Sequence, residues 1–168
     1  MHPLIGLHTR TLATLQLNAA MLGHIIKPVT QQTATTLRDG PKGWTTLEVV
    51  CHLCDFDEIF RERVKLVVEQ DDPTFPMADQ DKLAVERAYN QQDLGQAYQA
   101  LCAARQALIR QFESLTDEQW ERTGQHPARG HFTMTDVLTH VAWHDANHLE
   151  QITRLLTQGE SALSSRIA

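Results

Sequence analysis

Residues 133–158, TMTDVLTHVAWHDANHLEQITRLLTQ, constrain the fold more than any other stretch. No Pro or Gly interrupts them, and the spacing predicts one helix. Thr133 followed by Asp136 has the form of a capping box, with Asp in the place usually taken by Glu or Gln. Gly159 follows the last periodic residue, where a left-handed stop belongs. A helical wheel at about 100° per residue collects Met134, Val137, Leu138, Val141, Ile152, Leu155 and Leu156 into one apolar stripe. His148 and Asp145 fall inside that stripe on opposite sides of its centre. His144 lies on the flank and His140 further out. A buried imidazole and a buried carboxylate both need partners.

His140, His144 and His148 recur at steps of four, so they climb one ridge of the helix. Two His at i, i+4 can reach one ion. Two donors are too few for a site, and a third must come from elsewhere. The alternative is a row of histidines solvated or bonded to neighbouring backbone.

The chain has 168 residues, suited to a single domain spanning 1–168 with a core that needs no staples. Its net charge of −6, with no basic run, argues against nucleic-acid binding. No apolar run approaches the roughly 18 residues of a membrane span. Three Cys, at 51, 54 and 102, with no secretory signal, favour a reducing cytoplasm. Cys51 and Cys54 form a CxxC, but their apolar flanks fit buried small hydrophobes better than zinc or redox chemistry.

Three more amphipathic stretches accompany the histidine helix. Residues 3–23 place Ile5, His8, Leu12, Leu15, Ala19 and Leu22 on one face. A short piece over 25–37 is broken by Pro28, and residues 38–43 form a turn. Thr45 to Glu48 is a capping box that starts a helix reaching about residue 70, with Val49, Leu53, Phe56, Phe60, Val64 and Val67 as its stripe. His52 lies on the edge of that stripe, with Glu48 and Asp55 on the same flank as acceptors for its second nitrogen. The other reading of His52 is a partly exposed residue on an acidic face. A short helix over 80–89 and a long one over 94–114 follow. Arg105 interrupts the stripe of the long one and requires an acid partner, for which Asp145 is a candidate, or an escape to the bundle edge. A capped turn carries Trp120, and residues 124–132, with His126, Arg129 and His131, read as a loop. No strand pattern is visible, and residues 160–168 show no role.

The expected fold is all-α: an antiparallel four-helix bundle with short extra helices in the connections. Such bundles build metal sites from facing helices. Here the donors are His52 on one helix and His144 and His148 on another. Three neutral imidazoles leave coordination positions open, as catalytic metals require.

The segment from Trp44 through Thr45 and Glu48 to His52-Leu53 resembles the W-(S/T)-x-x-E-(V/I)-x-x-H-(L/I) block of DinB-like proteins, the DinB/YfiT-like superfamily. Gly130-His131-Phe132-Thr133 and His144-Asp145-x-x-His148-x-x-Gln151-Ile152 are similar to that family's G-x-(F/Y)-T and H-D-x-x-H-x-x-Q-I blocks, in the same order. The resemblance implies a four-helix bundle with one divalent transition metal ion, such as zinc, nickel or iron, on His52, His144 and His148. It leaves His140 to the flank of that site and matches Arg105 to a common Arg of the third main helix. Relatives include small-thiol S-transferases, a thiol-dependent maleylpyruvate isomerase, and the iron-binding part of a sulfoxide synthase. The partner expected is therefore a small-molecule substrate, with a low-molecular-weight thiol as one class.

Three functions stay open. The first is a metal-dependent transferase or hydrolase, with Asp145, Glu48 or Asp55 orienting imidazoles and Arg105, His126 or Arg129 meeting a substrate carboxylate. The second is a stress-response protein whose metal or ligand is bound without catalysis. The third is a bundle without metal. A homodimer is compatible with such a bundle, although no seam marks one.

Overall fold

The computed structural model describes residues 2–167, with side chains through residue 158. In chain order it contains α1 (Ile5–Ile26), α2 (Gln31–Thr36), α3 (Thr46–Glu69), α4 (Gln80–Glu86), a 3-10 turn (Tyr89–Gln91), α5 (Leu94–Glu113), α6 (Asp117–Trp120), β1 (Thr123–His126), β2 (Gly130–Thr133) and α7 (Met134–Ile167). The caps are chemical. Thr45 Oγ1 accepts the Glu48 N–H at 3.2 Å while the Glu48 carboxylate accepts the Thr45 N–H at 2.7 Å. Thr133 and Asp136 make the same reciprocal pair, at 3.1 and 2.9 Å. Gly159 does not stop α7, which runs on to Ile167. A Gly inside a helix costs only about 1 kcal/mol, and no Pro follows to break the backbone. The side chains of residues 160–168 lie outside the described residues.

Cross-helix contacts fix the directions of the four long helices. His8 bonds Thr135 and Asn18 bonds Asp145, so α1 and α7 run parallel. Asp57 pairs with Arg105, and the Arg61 carbonyl accepts from Gln111, so α3 and α5 also run parallel. Phe56 stacks on His144 and Phe60 meets His140, so α3 and α7 are antiparallel. Ala19 bonds Tyr98 and Leu15 bonds Arg105, so α1 and α5 are antiparallel. The bundle is therefore antiparallel across two faces and parallel across the other two. Parallel neighbours must be joined by a return along the whole helix. Residues 70–93, which include α4 and the 3-10 turn, make that return between α3 and α5.

Two apolar clusters fill the bundle. One holds Leu22, Ile26, Leu47, Val50, Leu53, Tyr89, Leu101 and Ile152. The other holds Leu15, Phe60, Val64, Phe75, Leu108, Phe112, Trp120, Met134 and Val141. A buried polar layer of Asn18, Asp57, Arg105 and Asp145 separates them along the helix axes.

Residues 123–133 form an antiparallel hairpin with Thr123 opposite Thr133 and His126 opposite Gly130, a correction to the loop expected there. The Arg129 N–H closes the turn onto the His126 carbonyl at 3.1 Å, and Gly130 follows at φ 77. That is the pattern of a short hairpin in which the residue that follows the turn must be left-handed. The strands carry no apolar alternation. They are held from outside, by Gln125–Pro73 and Phe75–Gln125 backbone bonds of 2.8 Å each and by the Asp72 carboxylate, which accepts from Thr123 and Gln125.

Candidate metal centre

His52 enters the α3–α7 seam from α3 and is fully buried. His144 and His148 enter from α7, half-buried. The three Nε2 atoms converge: His52 to His144 is 3.0 Å and His148 to His144 is 3.2 Å. One ligand atom from each of the three lies within 4.8 Å of the others, the one such group of His, Cys, Asp and Glu among the described residues.

Protons alone do not satisfy this arrangement. Gln151 donates its amide to Asp39 at 3.0 Å, which turns its carbonyl oxygen toward His148. That oxygen accepts the His148 Nδ1 proton at 2.8 Å. The network thus assigns His148 the tautomer with a lone pair on Nε2. If His144 donates Nε2–H to His148, the same proton must also serve His52. If His52 donates instead, His144 and His148 face each other with two lone pairs. A cation accepting three lone pairs removes the conflict, and nitrogens sharing one ion at about 2.0–2.1 Å stand at roughly these separations. The residues present fit a divalent metal.

Electrostatics point the same way. Burial, with the nearby His148 adding to it, pushes the His52 pKa down to about 3. Burial and the neighbouring imidazoles push His144 down to about 2. His148 is lowered by burial, against the upward pull of its Gln151 bond and of Asp145. Neutral imidazoles are the ligand form. Burial likewise pushes Cys51 up to about 12 and Cys54 to about 11, so neither is a thiolate at neutral pH. No metal-ligating group containing these cysteines occurs among the described residues.

The acceptors expected for His52 are engaged elsewhere. Glu48 is held by its capping box and by Arg38 at 3.1 Å. Asp55 accepts from Arg87 at 2.5 Å and from the Tyr89 hydroxyl. Both share a flank with His52, but each has a nearer donor, and His52 Nδ1 is buried without a partner. Asp145 does not orient an imidazole through a hydrogen bond either. It pairs with Arg105, which donates all five of its N–H groups: two bonds to Asp57 at 2.8 and 2.9 Å, two to Asp145, and one to the Leu15 carbonyl at 3.2 Å. Arg105 is 3% exposed, so the reading in which it escapes to the bundle edge fails. Burial lowers the Arg105 pKa, but its bonds to Asp145 and Asp57 outweigh this and hold it above the ordinary range. Burial wins at Asp57, whose pKa is pushed up to about 6 against the pull of Arg105.

His140 sits one turn before His144, their ring centres 6.5 Å apart. It lines an open cavity of about 400 Å³ with Arg129, His131, Phe132, Thr139 and Trp143. His131 and Arg129 of the hairpin thus share a cavity with His140, while His126 lies against Phe132.

The sequence assigns no role to Asp39, Arg154 or Asp57, and Gln151 enters only as the Gln of the H-D-x-x-H-x-x-Q-I block. Gln151 follows His148 by one turn on the same face and was legible as a possible acceptor. Asp57 falls between Leu53 and Phe60 on the apolar stripe, the same signal that exposed Arg105. Asp39 was legible only as a turn residue. Arg154 meets it at 2.5 Å and, with Gln151, ties that turn to α7.

A helical bundle with three converging histidines defines a class of metal-site proteins, and comparison places the chain within it. A family model described as the DinB superfamily matches residues 14–152, and the chain belongs to that superfamily. Two Oceanobacillus iheyensis relatives are named as candidate metal-dependent hydrolases. OB0413 is 24% identical over 132 residues, covering 79% of this chain and 75% of the relative. OB0782 is 28% identical over 125 residues, covering 74% and 71%. Among solved structures, YfiT of Bacillus subtilis, described as having an unusual four-helix bundle topology, superposes with a TM-score of 0.82 at 24% identity, covering 91% of this chain and 87% of its own. A mycothiol-dependent maleylpyruvate isomerase gives 0.70 at 10% identity, covering 86% of this chain and 60% of the isomerase. No described helix is long and apolar enough to cross a membrane.

Proposed function

We propose that the chain is a metal-dependent enzyme, a hydrolase or small-thiol transferase, with one divalent transition metal ion held by His52, His144 and His148. The observation that carries this reading is the frustrated contact of three Nε2 atoms, which one cation resolves and one proton does not. Bound there, the ion lowers the pKa of water or of a thiol and so supplies a nucleophile at neutral pH. The residues of the chain do the rest. Gln151 holds the His148 ring and its tautomer. Phe56 and Trp44 pack against the ligand rings and keep bulk water from them. Burial, with Arg129 and Arg63 adding to it, pushes His140 down to about 4, so its neutral ring is a proton acceptor at the cavity at pH 7. The relatives named as metal-dependent hydrolases support the hydrolytic arm. The mycothiol dependence of the isomerase makes small thiols the first co-substrates to test.

Elemental analysis of untagged protein tests the reading. We expect about one ion per chain, lost in His52→Ala, His144→Ala and His148→Ala and kept in His131→Ala. Zinc, nickel and iron are to be offered in turn, and ester hydrolysis and thiol transfer assayed with each. A protein that takes up none of them is not a metalloenzyme.

A further inference from the structure

Arg63 is a buried cation. It is 6% exposed on α3, and its Nε is buried without a hydrogen-bond partner. Among the described residues no carboxylate pairs with it. Its guanidinium lies instead over two aromatic rings, 5.4 Å from the centre of Phe60 and 5.6 Å from that of Phe75. Burial lowers its pKa and the Arg129 cation lowers it further, so the two positive charges sense one another. A buried guanidinium ordinarily has an acid partner or meets an anion. The contrast within this chain is direct, because Arg105 has two carboxylates.

The surroundings of Arg63 form a path to the cavity beside the metal centre. Phe60 meets His140 at 5.7 Å and Phe75 meets Phe132 at 6.4 Å. His140 and Phe132 are cavity walls. On the other side, Arg129 lies 5.8 Å over the Trp143 ring with no ion-pair partner among the described residues. Two carboxylates stand nearby and neither neutralises the arginines. Asp136 lines the cavity but is bonded to Thr133, and Asp72 is bonded to the hairpin. With Arg105 sealed in the core, Arg129 is the arginine that lines the cavity, and Arg63 adds positive charge behind it.

We infer that the cavity between the hairpin and α7 is a subsite for an anionic group of the substrate, a carboxylate or a phosphate, with Arg129 at its mouth and Arg63 behind its aromatic wall. This rests on the metalloenzyme reading for its place in a reaction, but not for its binding. The cavity begins one helical turn from the histidines, since the ring of its wall residue His140 is centred 6.5 Å from that of His144. The matching substrate therefore carries its anion a short segment away from the reacting bond. Phe132 and Trp143 suit a flat or apolar segment next to the anion.

Calorimetric titration of metal-free protein with benzoate and with phenyl phosphate tests the subsite and separates the two anion sources. Wild type is expected to bind at least one. Arg63→Met should weaken it by about two- to fivefold, the loss of a positive charge that acts through the aromatic wall without touching the anion. Arg129→Gln, at an exposed position, should weaken it by about two- to fivefold, and metal-free His148→Ala should bind as wild type does. If Arg63→Met does not fold, Arg129→Gln and Arg63→Lys carry the comparison. Binding of neither probe overturns the subsite, as does equal binding by wild type and the arginine variants. Loss of the probe in His148→Ala with retention in the arginine variants does the same, by placing the anion at the histidines. Metal uptake measured on the same samples separates the two readings. Probe binding without metal uptake keeps the subsite and removes the metalloenzyme, and the reverse result removes the subsite alone.

Discussion

Gln151 accepts the Nδ1 proton of His148 at 2.8 Å, and its own amide is anchored on Asp39 at 3.0 Å. Asp39 is held in turn by Arg154, whose bonds draw its carboxyl below the usual carboxylate range. One imidazole of the converging triad is thus fixed through three residues, two of them on the same helix. Partners of this kind set ligand tautomer and basicity, and their loss costs about 10–100-fold in metal affinity. Gln151→Leu should weaken metal binding by that factor while leaving the fold intact. Competition with a chelating dye measures it. An unchanged affinity would remove Gln151 from the site.

Arg105 joins all four long helices, through Leu15 on α1, Asp57 on α3 and Asp145 on α7. Arg105→Met leaves two carboxylates buried and unpaired. It should destabilise the protein by about 3–5 kcal/mol in urea unfolding, the range for breaking one side of a buried ion pair. Adding Asp57→Asn and Asp145→Asn removes both stranded charges and should recover part of the loss. No recovery would show that Arg105 acts by packing alone.

The bundle and its three histidines were legible because the information is local. Apolar period, the Thr45–Glu48 box and the i, i+4 His pair each specify their element without reference to the rest of the chain. Helix direction was not legible, because parallel packing of α3 and α5 depends on how residues 70–93 travel. The hairpin was invisible for a related reason. Thr-Gly-Gln-His and Gly-His-Phe-Thr carry little strand propensity, and their pairing is fixed by Asp72, Pro73 and Phe75 from another segment. The wrong acceptors for His52 share one cause. Periodicity gives the flank on which Glu48 and Asp55 stand, but Arg38, Arg87 and Tyr89 compete for them from loops and turns that periodicity does not place.

Gly124 is required by close approach. A Cβ there would lie 2.6 Å from two atoms of the Phe75 ring and 3.2 Å from the Pro73 carbonyl. Gly124→Ala must push the hairpin off Phe75, with a cost of about 1–3 kcal/mol as for other overpacked sites. Since Phe132 pairs opposite Gly124 and lines the cavity, the variant should also weaken benzoate binding while keeping its metal. Wild-type stability would show that the hairpin shifts freely, and the cavity wall with it.

The metal-free protein should lose stability on acidification beginning just below pH 6.5. The unfolded chain protonates its histidines near that value. Folded His52 and His144 stay neutral down to about 3 and about 2, and burial lowers His148 as well. Between those limits the unfolded state binds more protons, so stability is full above pH 6.5 and falls as pH drops. The slope is at most about 1.4 kcal/mol per pH unit for each histidine. Urea midpoints of chelator-treated protein at pH 7.5, 6.5 and 5.5 measure it, and His52→Leu/His144→Leu should flatten the decline. Bound metal competes with protons for the same lone pairs, so the loaded protein should hold its midpoint to lower pH and then release the ion as it unfolds. Asp57, pushed up to about 6, gains stability on acidification and opposes the histidines, so the deciding comparison is between proteins: the same pH dependence in metal-free wild type and in His52→Leu/His144→Leu would mean that these imidazoles are solvated, and the convergence of their Nε2 atoms would then carry no argument for a metal.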